Sequence, residues 1–389
     1  MSIEVPGGWR ELRLGDLIAT LDAGVSVNAD GRQCEEGEVG VLKTSSVSDG
    51  RFIPEEHKAV LKGERSRVRV PVRRNSLIFS RMNTPNLVGA NAYIEADYPK
   101  LYLPDRLWQI ATNEQADCRW LSFHMQSEAF RRQIDDIATG TSGSMKNISK
   151  GRLNQLPVLL PPLEEQRRIA EVLRSVDEAI ETANAVIAAK TGLLDTLRRD
   201  TFAAHPESVS IEDLSRLVSG QHVPTDQTND SGDGVPYLTG PSDFPDGDVV
   251  VTKFTTRPLV MCEPDDILIT VKGSGVGKSV IADQQYCISR QLMALRTKSV
   301  PVSFLFEAIQ TIVESLNSEA SGPIPGITRA HILTKRIPAI NRSMQQTLGD
   351  IFGDLRGSIR TDRSQLARLF AVKAAASNDL LSGRVRAAA

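Results

Sequence analysis

Apolar residues in the middle of the chain follow a heptad pattern, which is typical of a long helix packed against another helix. Pro161 and Pro162 suit a helix start, and Glu164 and Glu165 place negative charge in its first turn. The pattern extends over about four heptads and therefore predicts a helix over about 162–203 with a partner helix along its length. The positions that form the heptad seam, separated by steps of four and three, are Ile169, Leu173, Val176, Ile180, Ala183, Ile187, the polar Lys190, Leu194 and Leu197.

The same seam occurs a second time, 179 residues further along the chain. It predicts a second helix over about 343–382 that pairs antiparallel with the first. The repeated positions are Leu348, Phe352, Leu355, Ile359, Asp362, Leu366, Leu369, Lys373 and Ala376. We expect the pairing to depend on Ile169, Leu173, Val176, Ile180, Ile187 and Leu194 from the first helix and Leu348, Phe352, Leu355, Ile359, Leu366 and Leu369 from the second.

The remaining stretches also repeat one another in the order of their short extended segments and loops. Leu77–Ser80 and Ile267–Thr270 are predicted as buried strands, and residues 120–136 are predicted as a helix. The sequence therefore predicts an α+β fold with an internal pseudo-twofold repeat. Its two domains lie at 1–157 and 206–340, and two long antiparallel coiled-coil helices lie at 158–205 and 341–389.

The composition is that of a globular protein. Of 389 residues, 40% are hydrophobic and 24% are charged, and we find neither a signal pattern nor an apolar run long enough to span a membrane. The four scattered cysteines favour a reducing, cytoplasmic location, and the five histidines are too far apart in sequence to suggest a metal site. The net charge of −2 argues against a protein that coats nucleic acid through charge alone but leaves local basic patches possible.

An arginine-rich run at 65–74 is the first candidate for contact with DNA. Arginine alternates with valine or serine here, so a strand would carry its arginines, among them Arg67 and Arg69, on one face. Such a face would either contact the DNA backbone or keep an exposed edge strand soluble.

Two loops of the first domain carry further candidates. Arg81, Asn83 and Asn86 follow a buried strand, and their side chains can pair with guanine or adenine edges or serve as ordinary polar loop residues. A hydroxyl-rich loop near 139–148 leads towards the long helix and suits phosphate contacts. The basic and amide residues of this second loop are Lys146, Asn147, Lys150 and Arg152.

A glycine-rich segment at 273–279 is the corresponding candidate in the second domain. It ends in Gly-Lys-Ser but has three residues between Gly273 and Gly277, whereas a nucleotide-binding P-loop needs four, and a strand rather than a helix is predicted to follow. A tight loop that presents amides and lysines to a DNA phosphate and a plain hairpin turn both remain open. The candidate contacts are Lys272, Ser274, Lys278 and Ser279, together with Lys43 and Thr239, which follow matching short strands in the two halves.

Glycines recur at every fourth residue near the start of the second long helix, at Gly349, Gly353 and Gly357. Each costs about 1 kcal/mol of helix propensity relative to alanine, so a compensating role is expected. Close packing on the first helix, docking of a partner helix and a frayed helix start are the alternatives, of which we favour the packing.

The whole chain resembles the specificity (S) subunits of type I restriction-modification systems. The most specific similarity is the stretch 156–173, which includes Pro-Pro-Leu-Glu-Glu-Gln-Arg-Arg-Ile-Ala, and the second is the strand and loop at 266–279. The second helix departs from the first because Ile340-Asn-Arg-Ser-Met-Gln-Gln lacks the double proline and the paired acids.

This resemblance implies a non-catalytic subunit that reads a bipartite DNA target with two target recognition domains. It also implies that two modification (methyltransferase) subunits and an ATP-dependent restriction subunit are the partners, and that S-adenosylmethionine, ATP and Mg²⁺ bind to those partners and not to this chain.

Residues alone support the absence of catalysis, since we find no methyltransferase motif, metal cluster or nucleophile arrangement. The long helices would hold the two domains about one DNA turn apart. The alternative is a coiled-coil interaction scaffold without DNA specificity, which the acidic second domain (11 basic and 16 acidic residues between 206 and 338) leaves open.

Overall fold

A computed structural model describes residues 5–140, 145–205, 207–245, 247–273, 275–320 and 325–387. The chain divides into two compact units, Met1–Thr182 with Leu366–Ala389, and Ala183–Gln365, called unit 1 and unit 2 below. Ser274, one of the candidate DNA contacts, and residues 141–144 of the hydroxyl-rich loop lie outside the described residues.

In the part of the chain that the structure describes, short strands and three short α-helices precede the first long helix. The strands are β1 (Arg10–Arg13), β2 (Ile18–Ala23), β3 (Gly40–Leu42), β4 (His57–Ala59), β5 (Pro71–Val72), β6 (Ser76–Ser80), β7 (Met82–Asn83), β8 (Asn91–Ile94), β9 (Tyr98–Tyr102), β10 (Leu107–Thr112), β11 (Lys146–Asn147) and β12 (Pro157–Leu160). The helices are α1 (Cys118–Gln126), α2 (Glu128–Ile137), α3 (Lys150–Asn154) and the long α4 (Leu163–Ala203).

The second half of the chain has a similar order of elements. Its strands are β13 (Ser208–Ser210), β14 (Ser215–Ser219), β15 (Thr228–Asn229), β16 (Val235–Leu238), β17 (Phe254–Thr255), β18 (Met261–Cys262), β19 (Ile267–Thr270), β20 (Ser279–Ile281), β21 (Tyr286–Ile288), β22 (Leu292–Thr297) and β23 (Arg336–Pro338). Its helices are α5 (Ile211–Leu214), α6 (Val302–Gln310), α7 (Val313–Glu319), α8 (Arg329–Leu333) and the long α9 (Arg342–Leu381).

The principal sheet of each unit is a four-stranded antiparallel sheet with the same topology. The strand order is β2-β10-β6-β8 in unit 1 and β14-β22-β19-β20 in unit 2. The predicted strands Leu77–Ser80 and Ile267–Thr270 are confirmed as β6 and β19, and every residue of both strands is buried. The internal repeat inferred from the sequence is therefore a repeat of structure.

Equivalent backbone hydrogen bonds at the end of these central strands make the repeat exact enough to align the two units. The amide of Gly89 donates to the carbonyl of Ser80 at 2.7 Å, and the amide of Gly277 donates to the carbonyl of Thr270 at 2.9 Å. Ile148 and Ile327, which differ by the 179 residues of the seam repeat, also donate to equivalent carbonyls one residue further on. The loops after β6 and β19 thus occupy equivalent places in their units.

The predicted pairing of the two long helices is confirmed within each unit. All twelve seam residues are buried or half-buried, whereas most of the residues between them are exposed. In unit 1, Asp177 of α4 forms an ion pair with Lys373 of α9 at 2.6 Å. In unit 2, Lys190 forms one with Asp362 at 2.6 Å and also donates to Ser358. Residue numbers rise along α4 as they fall along α9, so the pairing is antiparallel.

The first turn of α4 connects three parts of unit 1. Glu165 is almost fully buried and accepts hydrogen bonds from Trp9 (3.1 Å) and from two nitrogens of Arg386 (both 2.7 Å). These bonds, above all the one from Arg386, lower the pKa of the Glu165 carboxyl. Gln166 accepts from the backbone amide of Asp117 at the start of α1. Glu165 and Gln166 therefore connect the segments that contain Trp9 and Arg386, and the start of α1, to the first turn of the long helix.

Part of this helix start is shared by α9 despite its different sequence. The side-chain amide of Gln166 donates to the carbonyl of Pro161, and that of Gln345 donates to the carbonyl of Ile340, in both cases five residues earlier. Met344, which is exposed, stands where α4 has Glu165. The two starts therefore share a turn but differ in their attachment to the rest of the chain.

Some local predictions are wrong. Residues 65–70 form no strand, because Arg65 pairs with Glu38 and Arg67 with Glu64, and only Pro71–Val72 is extended. Met82 and Asn83 are strand rather than loop, since they pair with β11. The helix predicted at 120–136 is two helices, because the Ser127 hydroxyl accepts a hydrogen bond from Phe130 and starts α2.

The glycines of α9 pack closely, but not on the helix that we favoured. An added Cβ at Gly349 would lie 2.7 Å from Pro301 Cβ, and one at Gly353 would lie 3.1 Å from the Ser303 hydroxyl. Both neighbours belong to the start of α6, so the absence of side chains at Gly349 and Gly353 allows α6 rather than α4 to pack closely on α9. An added Cβ at Gly357 would meet nothing within 4 Å.

We expect Gly349→Ala to destabilise the protein by about 1–3 kcal/mol through overpacking against the rigid proline ring. Gly357→Ala is the matched control and should instead stabilise it by about 0.5–1 kcal/mol, because alanine is the better helix former. Urea unfolding followed by circular dichroism measures both changes. Equal stability of the two variants would contradict the packing of Gly349 on α6.

A buried histidine predicts a pH dependence of the stability of unit 1. His124 lies between the rings of Trp120 and Phe130, with ring centroids at 5.4 and 5.6 Å, and burial lowers its pKa from 6.5 to about 4. Unfolding therefore takes up a proton between these two pKa values, so the free energy of unfolding falls as the pH is lowered through this window, by on the order of 3 kcal/mol.

Tryptophan fluorescence during urea unfolding measures this effect, because all three tryptophans, Trp9, Trp108 and Trp120, belong to unit 1. His124→Leu should lose most of the dependence between pH 6.5 and 4. His222→Leu, which removes an exposed histidine of unit 2, should keep it. An unchanged dependence in His124→Leu would show that other groups cause it.

Candidate nucleic-acid interface

The loop that follows β6 brings several candidate residues of unit 1 together. Strand β7 pairs with β11, so that Asn83 lies opposite Lys146 and Met82 lies opposite Asn147. Arg81 donates to the side-chain oxygen of Asn147 at 2.9 Å. Two loops that are distant in sequence therefore form one polar surface at the end of the central strand.

The buried side chain of Trp108 packs against two cations of this surface. Its ring is almost fully buried on β10, and the Arg81 guanidinium and the Lys150 ammonium lie 5.7 and 5.9 Å from its centroid. Arg81 also donates to the Asp105 carbonyl and Lys150 to the Leu21 carbonyl, both at 2.8 Å. Two cations are thus held by an aromatic ring and backbone oxygens, which fixes their positions before any ligand binds. Sequence reasoning missed Trp108, because it reads as an ordinary strand residue.

Unit 2 builds the equivalent surface from different residues. The backbone of Lys272 forms an isolated antiparallel β-bridge with Gly326, and the amide of Gly273 donates to the Pro325 carbonyl at 2.8 Å. Gly273 and Gly277 have φ angles of +91° and +84°, which L side chains rarely adopt, so the tight loop requires glycine there. Strand β20 follows the loop, as predicted, and not the helix that a P-loop would need.

The two lysines of this loop are available for binding. The side chains of Lys272 and Lys278 are exposed, and neither forms a hydrogen bond or ion pair with any residue in the described ranges. The hydroxyl of Ser279, by contrast, accepts a hydrogen bond from the side-chain amide of Gln310 on α6 at 2.8 Å. The loop therefore offers free ammonium groups and tethers its far end to the domain.

A further cation was missed in the sequence. Arg329 begins α8 and donates to the Ser219 hydroxyl at 3.0 Å, on the edge strand β14. Lys150 begins α3 and contacts the matching edge strand β2 in unit 1. The two residues differ by 179, the same offset as the helix seam, so the repeat itself would have identified Arg329.

Other candidates are engaged within the chain. Arg67 and Arg69 bind Glu64 and the Ser66 carbonyl, so the arginine run presents no continuous basic face. Asn83 is buried, its amide donates to the Ser80 hydroxyl and its oxygen accepts from the Thr84 amide. Thr239 donates its hydroxyl to Asp243 at 2.9 Å. Asn86, by contrast, is exposed in the loop after β7.

Lys43 also has an acid beside it. Its ammonium lies 3.5 Å from the carboxylate of Glu56. The Ser45 hydroxyl, which donates to the same carboxylate at 2.5 Å, and Lys43 itself lower the pKa of Glu56. Glu56 therefore stays ionised and offsets much of the positive charge that Lys43 would offer a phosphate.

Across the described residues, no group of three or more His, Cys, Asp or Glu side chains is arranged to hold a metal ion. Within the same residues, every helix is too short or too polar to span a bilayer.

Comparison with known proteins points to one family. The model of the type I restriction modification DNA specificity domain matches residues 6–189 and 206–369. A putative type I restriction enzyme MjaX specificity subunit of Methanocaldococcus jannaschii is 22% identical over 411 residues, covering 98% of this chain and 95% of that protein.

Two solved structures share the fold. The type I restriction-modification S subunit from M. genitalium matches with a TM-score of 0.71 and 16% identity over 96% of both chains. A chain from a study of complex assembly and conformational transition of the type I R-M system matches with a TM-score of 0.55 and 21% identity, over 98% of this chain and 100% of that one.

We expect Lys278→Ala to weaken binding to every DNA sequence by a similar factor and to reduce the salt dependence of log affinity by about 1, the signature of one lost phosphate contact. Lys298→Ala is the matched control, because Lys298 lies at the end of β22 that is far from the glycine loop. The first residue of that strand, Leu292, pairs with Thr270 beside the loop, and Lys298 follows its last residue. A loss confined to one base position would show that Lys278 reads sequence instead.

Proposed function

The chain belongs to the type I restriction-modification DNA specificity family, whose members recognise a DNA target and are not themselves catalytic, and we propose from this premise that its two units read the two halves of a split target. The proposal assigns residues 1–157 and 206–340 to a first and a second recognition domain. The observation that carries it is the pair of equivalent polar surfaces, one at the end of β6 and one at the end of β19.

In this proposal the two surfaces use different side chains for the same task. Arg81, Asn86 and Asn147 in the first domain would face base edges, with Lys146 and Lys150 on nearby phosphates. Lys272, Lys278 and Arg329 would contact phosphates in the second domain. Because the two surfaces share backbone geometry but hardly any side chains, each half of the target would have its own sequence.

The two long helices would set the separation between the half-sites. Helix α4 has 41 residues and α9 has 40, so each is about 60 Å long at 1.5 Å per residue. A fixed separation between two recognition domains requires an unread gap in the target of fixed length. The ion pairs in the seam support this role, since they hold the register between α4 and α9.

The outer faces of the helices offer a surface for the partner subunits. Exposed apolar side chains recur there at multiples of seven residues, so they form a second stripe that the seam does not use: Val172, Val186 and Leu193 on α4, and Met344, Ile351 and Val372 on α9. Val172 and Leu193 correspond to Ile351 and Val372 by the 179-residue offset. A stripe present on both helices suits two copies of one partner, and we assign it to two modification subunits.

The chemistry would then lie with the partners. The modification subunits would bind S-adenosylmethionine and transfer the methyl group, and a restriction subunit would use ATP and Mg²⁺. This chain would supply the DNA sequence preference and the spacing.

Methylome sequencing of cells that express the chain with its modification subunit tests the proposal. We expect methylation at one bipartite motif with a single gap length. A seven-residue helical insertion after Ala188, matched by one after Ser364 in α9, adds two turns and should lengthen the gap by about three base pairs at 1.5 Å per residue and 3.4 Å per base pair.

Seven residues inserted after Gly232, in an exposed loop of unit 2, provide the control and should leave the gap unchanged. Absence of any bipartite motif would contradict DNA specificity and favour the scaffold alternative. A motif whose gap ignores the paired insertion would contradict the spacing role alone.

A further inference from the structure

One carboxylate of unit 2 is completely buried and belongs to none of the surfaces described so far. Glu307 lies on α6, the helix that follows β22, and its side chain is 0% exposed. An ionised carboxylate in that position is costly unless cations and hydrogen bonds compensate it fully. Its partners therefore reveal what the residue does.

Both partners come from the long helices. Arg198 of α4 donates to one carboxylate oxygen at 2.7 Å, and Arg356 of α9 donates to the other at 2.5 Å. The Arg356 guanidinium also lies 4.0 Å from the centroid of the Phe306 ring. We call Glu307, Arg198 and Arg356 the acid-arginine clamp. It links the second recognition domain to both long helices through a single side chain.

Backbone packing brings the clamp together. Gly349 and Gly353 of α9 admit Pro301 and Ser303 at the start of α6, as described above. Arg356 follows on the same helix, one turn beyond Gly353, and meets Glu307 one turn further along α6. The glycines set how closely α6 approaches α9, and the clamp fixes α6 along and around that contact.

Unit 1 lacks these charges at the equivalent point. Glu307 is the sixth residue of α6, and the sixth residue of α1 is Phe123. The seam offset of 179 relates Arg198 to Ser377 and Arg356 to Asp177, which pairs with Lys373 instead. Phe123 and Ser377 line an open groove of about 340 Å³. The clamp is therefore a property of the second domain and not of the shared fold.

We propose that Glu307 is a positioning residue that fixes the second recognition domain on α4 and α9 and thereby restricts the gap length the protein accepts. The inference rests on the proposed function, since a gap exists only for a split target. Glu307 contacts no DNA in this assignment. It acts through the orientation of the domain that carries Lys272, Lys278 and Arg329.

The test is the distribution of gap lengths among methylated sites for Glu307→Gln and Arg356→Met, in the full chain with its modification subunit. Glutamine has one acceptor oxygen and turns an NH₂ group towards the second arginine, and methionine removes one partner. We expect sites whose gap is longer or shorter by one base pair to increase roughly tenfold, because loosely held geometry discriminates less between neighbouring spacings.

Asp266→Asn is the matched control. Asp266 is a buried carboxylate of the same domain that binds Arg296 through two hydrogen bonds of 2.8 and 2.7 Å, but both residues lie within the sheet, on β19 and β22 or beside them. The variant should reduce total methylation through lower stability and leave the gap unchanged. An equal spread of gaps in this control would show that destabilisation alone relaxes the spacing and would overturn the proposal.

A distance measurement separates positioning from recognition. Spin labels are attached at Lys253→Cys, in the second domain, and at Gln365→Cys, on α9, which are both exposed positions of unit 2. Cys34→Ser removes the one native cysteine that is not buried, so that only the two new cysteines are labelled. Glu307→Gln should broaden the distance distribution between the labels, and Asp266→Asn should not. An unchanged distribution in Glu307→Gln would overturn the positioning role.

The unsubstituted chain in the methylation experiment reports on the proposed function itself. If it shows no bipartite motif, that function is wrong. If it shows one and neither Glu307→Gln nor Arg356→Met widens the gap distribution, only the role of the clamp is wrong.

Discussion

The antiparallel pairing of α4 and α9 is the constraint on which the rest of the structure depends. A helix of about 40 residues with apolar side chains on one face cannot remain single in water, and each of these helices finds its partner in the other. The polar interruptions decide the register. Lys190 would be unfavourable in a seam of leucines and isoleucines, but Asp362 lies opposite it, and Asp177 faces Lys373 in the same way. A shifted register would leave these charges half-buried without partners, which costs far more than a correct pair contributes.

The attachments of the chain to this helix pair differ between the two units. In unit 1 the first turn of α4 holds both chain ends through Glu165, which is paired with Arg386 and Trp9. In unit 2 the attachment comes from α6, through the glycines of α9 and the acid-arginine clamp. The same α+β framework is thus fixed by a terminal ion pair in one place and by a buried triad in the other. The two units therefore share a fold but are attached to the long helices by different contacts.

What the sequence predicted follows from periodicity. The seam, its 179-residue repeat and the buried central strands all have regular spacing, and burial of one face enforces that spacing. The partner of Gly349 and Gly353 was not predictable in this way, because a run of glycines shows that something approaches and not what approaches. The arginine run was wrongly predicted as a strand because its alternation has a period of two. In the structure, Arg65 and Arg67 instead form separate ion pairs with Glu38, which is distant in sequence, and with Glu64.

The candidate site divides along the same line. Arg81, Lys146 and Lys278 could be selected from their residue types and loop positions, whereas Trp108 and Glu307 act through contacts with residues distant in sequence. Arg329 is an intermediate case, since the offset that relates the two helices also relates it to Lys150.

Charge counts illustrate why the distribution of charge matters more than its sum. The second domain is acidic overall, yet several of its carboxylates are buried and have partners within the chain. Asp266 forms an ion pair with Arg296, and Asp243 accepts hydrogen bonds from Thr239 and the neighbouring amides. Glu307 forms ion pairs with two arginines. These carboxylates stabilise the fold and contribute little field at the surface that carries Lys272 and Lys278. A polyanion such as DNA interacts with the exposed charge within about 10 Å, the Debye length near 0.1 M salt, so a net-acidic domain can still present a basic face to it.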